Sequence, residues 1–374
     1  MLHYDISPVQ QKKMQDLTAV YHKISNLAES FPPEKREFIA NQSMISNIGA
    51  STRIENARCT DLDVAWMDTV IKSEPHFEYV NKERLIKNKL SKDKERSIEE
   101  VAGYRNAFQI VASSGDDLYP FSISQVKGLH REMLKYFHGA GYHHGDFKTM
   151  PNSVQETDLS TGQRRTVLAT ADPGIITETA MADLLSWYNA ELRQSPWPVA
   201  VAVEFVFRFL AVHPFQDGNG RLSRLLFHAA IMASGDPGLR AGALYCAIDR
   251  TIEQSRKKYY YVLQSCSDGA FSPDPAEYSY GVFLNYIIDV LTKSAHNFHH
   301  YSAKFDHYCE LSQTALKILE CFRNEPEQSL STGALIEQAR APRRTVIYSL
   351  NLLLKKDFIQ RLGRGAAIRY RLVF

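Results

Sequence analysis

The sequence predicts a mainly α protein with one β-hairpin inserted in its helical core and a smaller helix-plus-hairpin module at its C-terminal end. Three observations carry this. Apolar residues recur at i, i+3/i+4 and i+7 through IEEVAGYRNAFQIVASSG and ISQVKGLHREMLKYF, the stripe of helices with one buried face. The β-branched TVLAT, next to the turn-rich DLSTGQ, breaks that period and reads as a hairpin. Residues 310–374 read as three short helices followed by two strands around the glycine-rich turn LGRGAAI.

The elements follow in order. Residues 1–97 read as a helical region with many polar breaks, ending in the charge run NKERLIKNKLSKDKERS, a solvated face or linker. Residues 98–305 read as the central helical block. Ser122 and Gln125 of SISQ suit a capping box at the start of its second helix. The hairpin falls within GDFKTMPNSVQETDLSTGQRRTVLATADPG. The apolar helices VAVAVEFVFRFLAVH and LSRLLFHAAIMASG follow, then TIEQSRKKYYYVLQSC and the long YGVFLNYIIDVLTKSAHNFHHYSAKF. Residues 306–374 form the last module, whose order of three helices and a hairpin is that of a winged helix. From Arg340 onward it carries nine Lys/Arg and one acid, Asp357.

The 374 residues, with 44% hydrophobic and 23% charged, suit a folded globular chain rather than a disordered one. A net charge of +2 gives the whole chain no bulk attraction to nucleic acid or membrane. The cysteines (59, 246, 266, 309 and 321) are odd in number and never spaced CxxC, which argues against a disulfide framework or a thiolate zinc site. Without a signal peptide or an apolar run long enough to span a bilayer, the expectation is a cytoplasmic protein with no membrane partner.

The chemistry concentrates in HPFQDGNGRLSR, His213 to Arg224. Pro214 disfavours helix at the residue before it, so the first apolar helix ends at His213. The next begins near Gly220 or Arg221. The loop between them therefore sits at a helix N-terminus, where unpaired amides and the positive end of the dipole attract anions. Gly218 and Gly220 permit positive φ and close approach of a phosphate, and Asn219 can cradle the same anion. Arg221 and Arg224, at i and i+3, share one face and suit a di- or triphosphate. Asp217 beside such a site calls for a bridging Mg²⁺. His213 is placed to take a proton from an incoming hydroxyl. The segment lacks the Glu of an EF-hand and the GK[ST] of a P-loop.

HPFQDGNGRLSR resembles, without departure, the HPFxDGNGRxxR signature of Fic-domain proteins, and the likeness extends over about residues 98–300 through Tyr259, Tyr260 and Leu263 of KKYYYVL and through GDFKTMPNSV. Phe147-Lys148 departs from the family's usual Tyr/Phe-Arg. The resemblance implies a Fic-type helical core with a β-hairpin flap, and transfer of AMP from ATP to a Ser, Thr or Tyr hydroxyl of a target protein or of the chain itself. It implies His213 as base and Asp217 as the Mg²⁺ ligand. Phe215, Gly218, Asn219, Gly220, Arg221, Arg224 and Tyr260 would contact the nucleotide. Ser267 falls where some relatives carry a nucleoside-contacting Asn.

STRIEN, Ser51 to Asn56, resembles the family's inhibitory motif (S/T)xxxE(G/N). The resemblance implies that Ser51 and Glu55 engage Arg224 and block productive placement of the γ-phosphate. The implied target docks at the flap, residues 147–170, and a homodimer is left open. The winged helix is a candidate for docking DNA or a protein. Two alternatives stand beside the autoinhibited transferase: a DNA-binding regulator with a nucleotide-sensing core, and an enzyme that removes AMP using Glu55.

Overall fold

The computed structural model describes residues 1–57, 61, 64, 92–114, 117–137, 144–157, 162–322 and 329–373, of which 92–98 and 366 are described in their backbone only. The sequence stretch 81–91, most of the charge run, lies outside the described residues, as do His143 and Cys59. The chain divides into two compact units, residues 1–58 with 92–299, and residues 59–91 with 300–374.

The first unit is helical. α1 (Pro8–Glu29) starts at a capping box in which the Ser7 side chain accepts from the Gln10 amide and the Gln10 side chain accepts from the Ser7 amide. α2 (Pro33–Ile54) buries an unusually polar face, including Ser43, Asn47, Ser51 and Thr52. Asn47 is satisfied there: it donates to the Cys246 carbonyl at 3.2 Å and accepts from the Asp249 amide at 2.9 Å. A buried amide with both ends paired fixes where α2 lies and escapes the cost of an unsatisfied group. α3 (Lys92–Ser114) and α4 (Ile123–Leu134) pack together, α4 opening with the Ser122/Gln125 capping box that the sequence predicts.

β1 (Ser153–Thr157) and β2 (Arg164–Ala169) pair antiparallel as the expected hairpin, with an irregularity between Val154 and Gln155. The base of β2 is tied to residues 269–271 by the Ala169 amide to the Gly269 carbonyl (2.9 Å) and the Phe271 amide to the Ala169 carbonyl (2.8 Å). After α5 (Ile175–Glu191) come α6 (Pro198–Val212) and α7 (Asn219–Met232), whose side chains are almost wholly buried. They form the centre of the unit, so the loop between them is held from both ends. α8 (Pro237–Tyr245), α9 (Ile248–Gln254), α10 (Arg256–Ser267) and α11 (Tyr280–Cys309) complete it, α11 from residue 300 belonging to the second unit.

A sequence boundary at residue 97 does not separate the N-terminal helices from this core. α1 lies so close to α8 that a Cβ on Gly242 would meet the Tyr21 ring at 2.1 Å, and α2 packs against α3, α8 and α9.

The second unit places α12 (Gln313–Glu320), β3 (Leu330–Ser331), α13 (Thr332–Ala339), α14 (Arg343–Lys355), β4 (Ile359–Leu362) and β5 (Arg369–Leu372) around a core that includes Ile318, Phe322, Leu335, Val346, Leu350 and Leu353. Its sheet is antiparallel in the order β3-β5-β4; the two-residue β3 was not legible in the sequence. No helix among the described residues is long and apolar enough to cross a membrane.

Candidate functional site

The loop from α6 to α7 opens on a cleft of about 230 Å³. Its lining brings together His213, Asp217, Arg221, Arg224, Tyr260 and Glu55, with β1 forming one wall. Residues from four distant parts of the chain meet here.

His213 caps α6 in the left-handed conformation, φ 52 and ψ 58. That costs a non-glycine residue about 1 kcal/mol, and it turns the ring out of the helix into the cleft. Its Nδ1 lies 3.2 Å from the Leu210 carbonyl, which can only accept, so Nδ1 carries the proton and Nε2 keeps its lone pair. Burial, aided by the Lys148 ammonium, lowers its pKa to about 4. The ring is therefore neutral near pH 7, the form that can accept a proton.

Gly218, at φ 80, caps α7, and its Cα faces the Met133 side chain, where a Cβ would come within 2.7 Å. Glycine is required on both counts. The first-turn amides of α7 have no helical acceptor and face the cleft side of the loop. Asp217 accepts from the Gly218 amide through Oδ1 at 2.6 Å, and its side chain is 57% exposed.

Two side chains of the motif are committed within the protein. Asn219 does not offer its side chain to an anion: Oδ1 accepts from the Phe215 amide at 2.9 Å and Nδ2 donates to the Phe215 carbonyl at 2.6 Å, so the amide staples the loop shut. Phe215 is fully buried, stacked on His130 at 3.9 Å between centroids and edge-on to Phe147, and plugs the space beneath the loop.

Arg224 is buried and completely engaged on one side. Nε donates to Ser51 Oγ at 2.7 Å, and Nη2 donates both to the Ser51 carbonyl and to Glu55 Oε1, each at 2.8 Å. Burial opposes its charge, but the nearby Glu55 carboxylate outweighs this and raises its pKa above the ordinary arginine value. Glu55 stands just past the end of α2 as its C-cap, not within the helix, and a Cβ on Gly220 would meet its Oε1 at 2.2 Å. A carboxylate thus covers the N-terminal turn of α7. Arg221, equally buried, lies 3.4 Å from Glu100 and 3.8 Å from Asp217, while its Nε finds no hydrogen-bond acceptor among the described residues.

Tyr260 is buried at the cleft wall with Arg256 over its ring at 5.6 Å, and Tyr259 lines the same cleft. Ser267 turns away and bonds the Leu263 carbonyl.

The support around the loop escaped sequence reasoning. His130 accepts from the Gly145 amide at Nδ1 (3.0 Å), so its Nε2 is the protonated nitrogen that donates to the Asp217 carbonyl (2.9 Å). Burial lowers its pKa to about 4, in keeping with that neutral tautomer. Lys148 is buried and donates to Asn152, Thr170 and the Val212 carbonyl. Burial lowers its pKa to about 8. Asn152 donates to the carbonyls of His213 and Phe215. The quoted GDFKTMPNSV contains Lys148 and Asn152, but nothing in it says which carbonyls they reach.

Residues 120–231 match the family model described as Fic/DOC family. Over this segment, which includes the loop from α6 to α7, the chain is similar to Fic domains. It is similar to "Protein adenylyltransferase Fic" of Drosophila willistoni, 32% identical over 108 residues, which are 29% of this chain and 18% of that protein. The D. melanogaster protein of the same name is 31% identical over the same length. The chain thus matches less than a fifth of the length of these curated relatives. Among solved structures, a Fic family protein from Desulfovibrio desulfuricans G20 superposes with a TM-score of 0.56 at 20% identity, covering 100% of this chain and 98% of that one. Fic-1 from C. elegans gives 0.53 at 16% identity, covering 78% and 74%. These two likenesses establish the fold.

Proposed function

We propose that the chain is a protein adenylyltransferase whose Fic core is restrained by its own Glu55. The observation that carries this reading is the meeting, in one cleft, of an imidazole with a free Nε2 lone pair, a helix N-terminus and two buried arginines. An imidazole base beside a polyphosphate site suits attack by a hydroxyl on a nucleotide.

In the reaction proposed, the target hydroxyl oxygen bonds to the α-phosphorus of ATP and its proton passes to His213 Nε2. The bond from the α-phosphorus to the bridging oxygen breaks, and pyrophosphate leaves. The amides of the first turn of α7 receive phosphate oxygens. Arg221, close to Asp217, is the forked cation available to the β-phosphate, and Arg224, once freed from Glu55, serves the γ-phosphate. Tyr260 borders the adenosine side. The described part of the hairpin lines the cleft through residues of β1, and a target segment would lie along it.

Among the described residues no group of three or more His, Cys, Asp and Glu could hold a metal unaided. Mg²⁺ often binds through one carboxylate and the substrate phosphates, and the exposed Asp217, with Oδ2 uncommitted, fits that donor set. Bound there, the ion would neutralise phosphate charge.

Wild-type protein and His213→Ala incubated with ATP and Mg²⁺ and weighed by intact mass test the reading. The wild type is expected to add one AMP to itself or to lysate proteins; His213→Ala is expected to lose transfer by about 10²–10⁴-fold while still binding ATP. Near-normal transfer by His213→Ala would remove the proposed base.

A further inference from the structure

The second unit separates its charges. Residues 301–339 hold three Lys/Arg and six Asp/Glu, whereas 340–374 hold nine Lys/Arg and the single Asp357. The basic segment is α14 with the β4–β5 hairpin. α13 and α14 are joined by only Arg340, Ala341 and Pro342, with Arg340 in the left-handed conformation at φ 49 and ψ 45. The second helix of this pair buries Val346, Leu350 and Leu353 and turns its other face outward. That outer face begins with Arg343, Arg344 and Thr345 and continues through Tyr348, which is 70% exposed. Arg361, Arg364 and Arg369 are exposed on the hairpin. Among the described residues none of these five arginines enters an ion pair, while Lys356 is neutralised by Glu310.

We propose that this unit binds duplex DNA, with the N-terminal half of α14 in the major groove and the β4–β5 hairpin on the flanking phosphates. A short-turn helix pair presents its second helix to a groove that accepts one helix. Duplex DNA carries a negative charge about every 1.7 Å, which answers a face carrying arginines and no paired acids. The two arginines at the start of α14 stand where such a helix reads base edges, and Arg can bond guanine at two points. The three hairpin arginines are placed to contact backbone. A-form RNA has a major groove too deep and narrow for a helix, so the same face discriminates against duplex RNA. An acidic protein would satisfy the charge but not the helix geometry. The inference is independent of the activity proposed above.

The test uses the full chain and a fluorescein-labelled pool of random-sequence DNA duplexes, read by anisotropy across a salt series and followed by rounds of selection. Binding is expected at about 50 mM salt, weakening on addition of salt with a log–log slope of about −3 to −5. Arg361→Ala/Arg364→Ala should weaken binding at least tenfold and reduce the slope by about 2. Arg343→Ala/Arg344→Ala should abolish the enriched sequence motif that wild type selects. All four side chains are exposed, and unchanged melting temperatures establish that the variants fold; either pair alone suffices for the decision. Absence of binding at low salt overturns the proposal. So does duplex RNA or heparin competing as well as DNA, and so does binding that neither pair alters.

Discussion

Replacing Glu55 with glycine removes the carboxylate that pairs with Arg224 among the described residues. Arg224 then keeps the Ser51 hydroxyl and carbonyl, at 2.7 and 2.8 Å, but loses the charged partner at 2.8 Å. A hydrogen bond to a charged group contributes about 1.5–3 kcal/mol. If that energy is what keeps Arg224 from the γ-phosphate, its loss speeds transfer by about 10- to 150-fold, at 1.36 kcal/mol per decade. Because Ser51 still restrains the guanidinium, the lower end applies, about tenfold or somewhat more. The substitution also clears the face of Gly220, against which Glu55 Oε1 lies, so a triphosphate meets less negative charge at the N-terminus of α7. Glu55→Gln, which keeps a neutral acceptor, should activate less than Glu55→Gly. Adding Arg224→Ala to Glu55→Gly should erase most of the gain, because the freed arginine is the agent. Incorporation of labelled AMP by the four proteins at equal concentration measures all of this. A Glu55→Gly protein no faster than wild type, or a double variant as fast as Glu55→Gly, would refute the restraint. If Glu55→Gly instead abolished removal of AMP from a modified target, Glu55 would be a catalytic group for the reverse reaction.

Two further outcomes follow from the geometry. The proposed role of His213 as base requires the neutral imidazole, and burial lowers its pKa to about 4 from the ordinary 6.5; transfer by Glu55→Gly should therefore stay level from about pH 6 to 8 and decline only as the pH falls toward 4. An acid limb centred near 6.5 in the pH–rate profile would show that the imidazole is not desolvated. The end of α2 is held by a bidentate pair, Arg53 Nε to Glu253 Oε1 at 2.6 Å and Nη2 to Oε2 at 2.9 Å. A partly exposed pair of this kind contributes up to about 1 kcal/mol, so Glu253→Ala should raise basal transfer roughly three- to fivefold by loosening Glu55. The same substitution made in Glu55→Gly should change nothing, and an equal gain in both backgrounds would assign Glu253 another role.

The sequence by itself determined the parts whose geometry is local. Proline after His213 ends one helix, the next was expected near Gly220 or Arg221 and begins at Asn219, and the spacing of Arg221 and Arg224 puts them on one face; these are consequences of backbone sterics and helical period. The capping box at Ser122, the hairpin in TVLAT and the helical core were legible for the same reason. Even within the motif, local rules did not show what the Phe215 ring and the Asn219 side chain pack against, because a buried ring needs a partner to stack on and an amide takes the nearest unsatisfied backbone. Here His130 supplied the first and the Phe215 peptide groups the second.

Only the tertiary structure decided the contacts that cross the chain. His130 meets the Asp217 carbonyl across 87 residues, and the meeting of Arg224 with Glu55 across 169 was implied by the family resemblance of STRIEN but by no local rule. Lys148 carries its charge into the interior to reach the last carbonyl of α6. Periodicity records which face of a helix is buried, not which buried polar group will answer it. That choice is made when the helices pack, since each unsatisfied donor or acceptor in the interior costs more than a suboptimal packing contact.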